Sequence, residues 1–207
     1  MENKLIVNAI DKYLEIPSGS SELHFDNDLV IDTLSLANNF DTVWYIKKNV
    51  KVNIQSITEL NNTTGRIKIV TEENNSLVFH LGIKASKNNN IDLLNEINGN
   101  NNNCEIMIRI ISEEDSKTNL KATGIINKNT HNNNYIEDIK YLNEYPANII
   151  CLPELLVNSD DASASHNMTV GMIDEEELFY LESRGIPTAY AKEMIRNSFL
   201  KSMQRRE

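Results

Sequence analysis

The residues with chemistry to offer are few. Two cysteines, Cys104 and Cys151, and four histidines, His24, His80, His131 and His166, are the whole supply of thiol and imidazole. His166 stands in the most sharply patterned stretch, "SHNMTVGMIDEEELFYLESRGI" at 165–186, where a polar loop leads through a glycine and a run of acids to an aromatic-rich turn and Arg-Gly. A neutral imidazole can hold a metal ion through one nitrogen while a carboxylate orients the other, and Asp160 and Asp161 lie close by in the chain. On the residues alone, a plainer account of His166 is a loop histidine that packs or hydrogen-bonds. The two aspartates could be hard oxygen ligands or an acid/base pair, but as turn residues they need neither role. Each cysteine sits in a strand-like run, where a buried thiol behaves as a small apolar side chain. His24, His80 and His131 have no partner motif. There is no glycine-rich phosphate loop and no nucleophile–base spacing, so nucleotide binding would belong to a partner.

Charge and composition narrow the classes further. A net charge of −10 over 207 residues argues against binding nucleic acid, which needs clustered Lys and Arg. The charge is uneven: residues 172–207 hold 7 acids and 6 bases, leaving a net of −9 on the 171 residues before them. No window approaches the apolar length of a membrane span. "MENKLIVNAIDKYLEI" breaks its apolar runs with Asp11, Lys12 and Glu15, unlike a secretory leader. Two cysteines make no disulfide framework. A reducing cytoplasm is the expected compartment.

Whatever positions these residues must be built mainly of strands. Between about 42 and 130 no helical periodicity lasts ten residues, and short β-branched runs recur: "TVWYIKKNVKVNI", "GRIKIVTE", "SLVFHLGIKA", "CEIMIRIIS" and "KATGIIN". The asparagine runs "KNNN" (87–90), "NGNNNN" (98–103) and "HNNN" (131–134) read as expanded polar loops between them. Their spacing is too irregular to prove a repeat. A hairpin sandwich and a coil of short strands both fit. The lack of Asn-Gly and Asp-Gly turns from residue 104 onward favours the coil. The expected organisation is an N-terminal arm of uncertain role at 1–41, a β core at 42–171 and a helical end at 172–207.

That helical end carries clear signals. Asp174 can cap a helix with Glu177 three residues on, Glu175, Glu176 and Glu177 suit the positive end of its dipole, and Gly185 suits its exit. Leu178 and Leu181 share a face of that helix, with Phe179 beside it. A second helix is expected from about Thr188 to Met203, burying Ala191, Ile195, Ser198 and Phe199 with Met194 alongside. Lys201, Arg205 and Arg206 suit its C-terminal end. Tyr180, Arg184 and Tyr190 fall on the remaining face, and such residues are enriched at interface hot spots.

The segment "SHNMTVGMIDEEELFYLESRGIPTAYAKEMIRNSFL" closely resembles the C-terminal signature of the SufB/SufD family. "KATGIINKNT" resembles that family's strand with a central glycine, and "IICLPELLVNSDDASASH" its Pro-x-Leu strand and Asp-containing turn. The likeness is specific over 120–207, loose over 42–119 and absent over 1–41. It implies a right-handed parallel β-helix with a C-terminal two-helix region. It further implies a non-enzymatic scaffold component of iron–sulfur cluster assembly in the SUF system. Residues 172–207 would dock a SufC-like ABC ATPase, and the subunit would pair with a SufB/SufD-like paralogue or with itself.

A transient iron–sulfur cluster would be the cargo, with His166 as assembly residue or metal ligand and Cys151 as a weaker candidate. Three departures cut against this: only two cysteines, Ala164 where a cysteine can stand two residues before the histidine, and Asn167 and Met168 where small residues follow it. A relative that keeps ATPase docking but has lost assembly is therefore the alternative. A carbohydrate-acting β-helix enzyme would normally be exported and carry a groove of carboxylates and basic residues; the lack of a leader-like stretch and the likeness over 120–207 argue against it.

Overall fold

Alternation of apolar and polar side chains turns most of this chain into strands. In "KVNIQSITELN" every second residue is buried, because successive side chains of an extended chain point to opposite faces. The computed structural model describes residues 4–7, 12–113, 115–143 and 148–203. The first strands are β1 (Lys4–Val7), β2 (Tyr13–Ile16), β3 (Gly19–Phe25), β4 (Leu29–Ile31) and β5 (Thr33–Leu36). Next come β6 (Asn39–Ile46), β7 (Lys51–Asn61), β8 (Thr64–Thr71), β9 (Ser76–Ser86) and β10 (Asn88–Ile97). Then follow β11 (Asn103–Ser112), β12 (Lys117–Ile126), β13 (His131–Leu142), β14 (Asn148–Val157) and β15 (Asp161–Gly171). Two helices close the chain, α1 (Glu175–Ser183) and α2 (Thr188–Lys201).

Strands alternate between two long sheets. One has the order β1-β3-β6-β8-β10-β12-β14, the other β15-β13-β11-β9-β7-β4, and β2 and β5 form a small third. Every pairing is parallel. The chain is thus a parallel solenoid of about five turns. Hairpins are absent from the described strands, which removes the sandwich. Within 1–41 the described residues form the first five strands and the start of β6, paired like the rest. The lumen is mainly apolar, with Phe25, Trp44 and Phe79 in tilted and edge-on contact and isoleucines and leucines stacked turn upon turn.

Asparagine builds the corners. Asn49, Asn74, Asn101 and Asn132 all have positive φ, and the side-chain amides of the last three donate to the Asn Oδ1 one turn before them, at 3.1, 2.9 and 2.9 Å. Beside them a buried ladder runs inward: Asn75 Oδ1 accepts from the Val50 backbone, Asn102 Oδ1 from Asn75 and Asn133 Oδ1 from Asn102. Asparagine satisfies buried turn backbone that water cannot reach. The loop reading of these runs is therefore corrected in part. Asn88–Asn90 begin β10 and Asn132–Asn134 belong to β13, because side-chain stacking lets the ladder continue into the strand.

The helical end lies against the outside of the second sheet. Asp174 caps α1 by accepting from the Glu176 and Glu177 amides, and Gly185 leaves it at φ +82°. α2 buries Ala191, Ile195 and Leu200, and Met203 just beyond it is also buried. Ser198 and Met194 are exposed instead, because the helix meets β9 and β11 through its end. There Leu200 and Met203 sit over Gly82, where a methyl group would stand 3.0 Å from Met203 Cε. This cover also buries outward-facing His80, Glu105 and Arg109, which breaks the alternation of β9 and β11. Arg205 and Arg206 lie outside the described residues. No helix among the described residues is long and apolar enough to cross a membrane.

Candidate functional site

Among the described residues, nothing stacks on the last turn of the solenoid. β14 pairs only with β12 and β15 only with β13, so each ends its sheet with an edge of backbone donors and acceptors. Side chains that inner turns enclose are half covered here, among them Cys151, Leu155, Ala164 and Met168. The outer face changes as well. Where β12 carries Asn119 and Lys121, β14 places Ile150 and Leu152 in register, 54% and 53% exposed. Leu156 lies further along the same face beyond Glu154, and Val170 and Met172 are exposed separately, on and just after β15 in the other sheet. A soluble surface would rarely keep such a row uncovered.

His166 lies on the lumen side of β15, in register with Glu137 of β13. Glu137 is only 1% exposed. The Tyr135 hydroxyl donates to its Oε2 at 2.8 Å, while Oε1 is buried with no hydrogen-bond partner. Burial pushes the Glu137 carboxyl up, and the Tyr135 hydrogen bond and His166 pull it back only in part. Burial, reinforced by the Glu137 charge, pushes the Tyr135 phenol well up, so it remains a donor.

Contacts across the lumen place Cys151. The Tyr135 ring lies over Gly124, whose register partner on β14 is Leu155, and Tyr135 is itself in register with Ala164. Leu155 therefore faces Ala164, and Pro153 faces His166. Cys151 lies one inward step further along, within electrostatic reach of Tyr141. His166 and Cys151 thus share the open end from opposite walls. Burial pushes the Cys151 thiol up to about 11 and the enclosed Cys104 thiol up to about 12, so both are protonated at neutral pH. Cys104 contacts Thr71 and Asn95 inside the coil, away from the opening.

Asp160 and Asp161, the carboxylates sequence offers for orienting His166, do not reach it. Asp161 opens β15 beside His131, 3.8 Å from its ring, five positions or roughly 16 Å from His166. The carboxylate beside His166 is Glu137, which sequence reasoning missed. Its signal was parity: Tyr135, Ile139 and Tyr141 alternate inward, and Glu137 falls on their face. Of the remaining histidines, His24 stacks on Tyr45 and His80 pairs with Glu105 at 2.8 Å under the helical end. Among the described residues no three His, Cys, Asp or Glu side chains converge to hold a metal ion. One chain offers single donors at an opening rather than a closed cage.

The helical end presents a separate surface. Tyr180 and Tyr190 are 56% and 66% exposed, and the Arg184 guanidinium lies over the Tyr180 ring at 5.3 Å. Phe179 and Met194 are exposed with them. α1 has no buried residue, with Leu178 and Leu181 half-buried.

Residues 48–199 match the family described as the SUF system FeS cluster assembly, SufBD core domain. The chain is 49% identical over 47 residues to the iron–sulfur cluster assembly protein SufD of Escherichia coli, which is 23% of this chain and 11% of that one. Against SufD of Bacillus subtilis it is 44% identical over 48 residues, again 23% of this chain and 11% of the relative. An iron–sulfur cluster assembly SufBD family protein of Methanothermobacter thermautotrophicus is 26% identical over 132 residues, 63% of this chain and 32% of its own length. The chain thus matches a third or less of each of these relatives.

Proposed function

Since this chain belongs to the SufB/SufD family, we propose that it is a scaffold component of iron–sulfur cluster assembly working with a SufC-like ABC ATPase. The observation that carries the reading is the open end: an imidazole on its lumen side, a thiol on the facing wall and two unpaired strand edges around them. A cluster is cargo here, not a resident cofactor. His166 donates one nitrogen to iron, Cys151 is the weaker donor, and a second subunit supplies the rest. That subunit is a SufB/SufD-like paralogue or a second copy, held by the β14 and β15 edges and the apolar row of Ile150 and Leu152. The ATPase is held by Tyr180, Arg184 and Tyr190. Such a scaffold performs no catalysis of its own, and two unpaired cysteines suit a reducing cytoplasm.

A second reading, docking without assembly, is favoured by the lack of converging ligands among the described residues. One experiment separates the two. The chain, co-purified with the ATPase and a SufB-type subunit and given iron and sulfide anaerobically, acquires Fe–S absorption that His166→Ala abolishes while ATPase capture persists. Equal cluster yield from His166→Ala removes the assembly role from this chain.

A further inference from the structure

We propose that Glu137 is a positioning residue for His166: its Oε1 takes one ring N–H, leaving the other nitrogen turned to the open end. The inference rests on the reading of His166 as the cargo-facing donor, but its first half concerns the free chain alone.

Four observations carry it. Glu137 and His166 are register partners on neighbouring parallel strands, so their backbones lie about 4.8 Å apart with both side chains on the lumen side. Glu137 Oε1 is enclosed without a partner, and an unmade hydrogen bond to a buried charged oxygen is expensive to maintain. Oε2 is already engaged by Tyr135, which fixes the plane of the carboxylate and leaves Oε1 as its one available acceptor. Around His166, the inward neighbours Ala164 and Met168 and the facing Pro153 offer no side-chain acceptor.

The support is layered turn by turn. Gly124 of β12 leaves room for the Tyr135 ring, Tyr135 clamps Glu137 on the same strand, and Glu137 faces His166 on β15. An imidazole held in this way has a defined tautomer and a fixed ring orientation, which is what a carboxylate behind a metal-binding histidine provides.

The test reads the ring itself. In the full chain at pH 8.5, long-range proton–nitrogen correlation resolves the two His166 nitrogens, assigned by their loss in His166→Ala. The wild type shows one protonated and one bare nitrogen, with widely separated shifts. In Glu137→Leu the two shifts move together toward the averaged values of free imidazole. Tyr135→Phe, which frees the clamp but keeps the carboxylate, lies between. Should Glu137→Leu fail to fold, Glu137→Gln preserves the volume and moves the shifts the same way by a smaller amount. Nitrogen shifts unchanged in a folded Glu137 variant overturn the proposal and leave the scaffold reading standing. A tautomer governed by Glu137 together with full cluster yield from His166→Ala keeps the positioning and sinks the scaffold role of His166.

Discussion

The hydroxyl end of the Tyr135 ring lies close against Gly124: a methyl group at residue 124 would stand 2.4 Å from Tyr135 Cε1. Real Cβ atoms do not approach that closely, so Gly124→Ala forces the ring and the Glu137 it clamps to shift. Overpacking of this kind costs about 1–3 kcal/mol, read as a lower urea midpoint. Adding Tyr135→Leu removes the obstructing ring, so the double variant is more stable than the two single losses summed. Strict additivity, or a Gly124→Ala chain as stable as wild type, contradicts the contact.

Arg109 and Asp138 make the polar joint under the end of α2. Arg109 is 4% exposed, and its guanidinium donates to the Asp138 carboxylate, to the Ile108 and Asp138 carbonyls and to Ser202. Burial pushes the Asp138 carboxyl up, but Asn167, Arg109 and Lys140 together outweigh it and hold it below the usual range. Asp138→Asn strands a buried cation and costs about 3 kcal/mol at neutral pH. A depressed folded pKa contributes stability above the unfolded value, near 4, and loses it as pH falls through the folded one. The gap between wild type and Asp138→Asn therefore narrows below about pH 4. A gap constant down to pH 2 would exclude this ion pair as its source.

The two thiols differ in access rather than in acidity. Cys104 is fully enclosed, whereas Cys151 is half-buried at the open end. With both pushed above 10, iodoacetamide at pH 7.5 labels the native chain slowly, and Cys151 before Cys104. Unfolding in urea equalises them. If a second subunit covers the open end, adding it slows Cys151 further and leaves Cys104 unchanged. Faster labelling of Cys104 in the native chain would place the opening elsewhere.

Strand composition and helix caps were readable because they are local: Asp174, Gly185 and the β-branched runs act through their immediate neighbours. The coil's period was not. Its corner asparagines recur at intervals of 25, 27 and 31 residues, so each turn is longer than the last and no fixed repeat exists to find. Nor was the sheet surface that α2 covers, which is why helical periodicity points to Ser198 as buried and passes over Leu200. The carboxylate beside His166 failed for the same reason. Asp160 and Asp161 are near in sequence, but an extended strand carries them away, while Glu137 arrives from one turn earlier. Parallel stacking makes such long-range neighbours the rule.

The proposed ATPase contact lies on the exposed face of the helical end. Tyr180, Arg184 and Tyr190 are all exposed, and the Arg184 guanidinium lies over the Tyr180 ring. Substitution there leaves the fold intact, since α2 is anchored through Ala191, Ile195, Leu200 and Met203 on its other side. Aromatic and Arg anchors carry most of the energy of a typical interface, so losing one weakens binding about tenfold or more. Tyr190→Ala and Arg184→Glu should each lower capture of a SufC-like ATPase by that factor in a quantitative pull-down. The urea midpoint should not move. Leu200→Ala supplies the contrast, lowering the midpoint through the lost contact over Gly82 while leaving the docking side chains in place. Capture that follows the midpoint across all three variants assigns the helices to stability. Capture that falls with Tyr190 and Arg184 alone assigns their outer face to the partner.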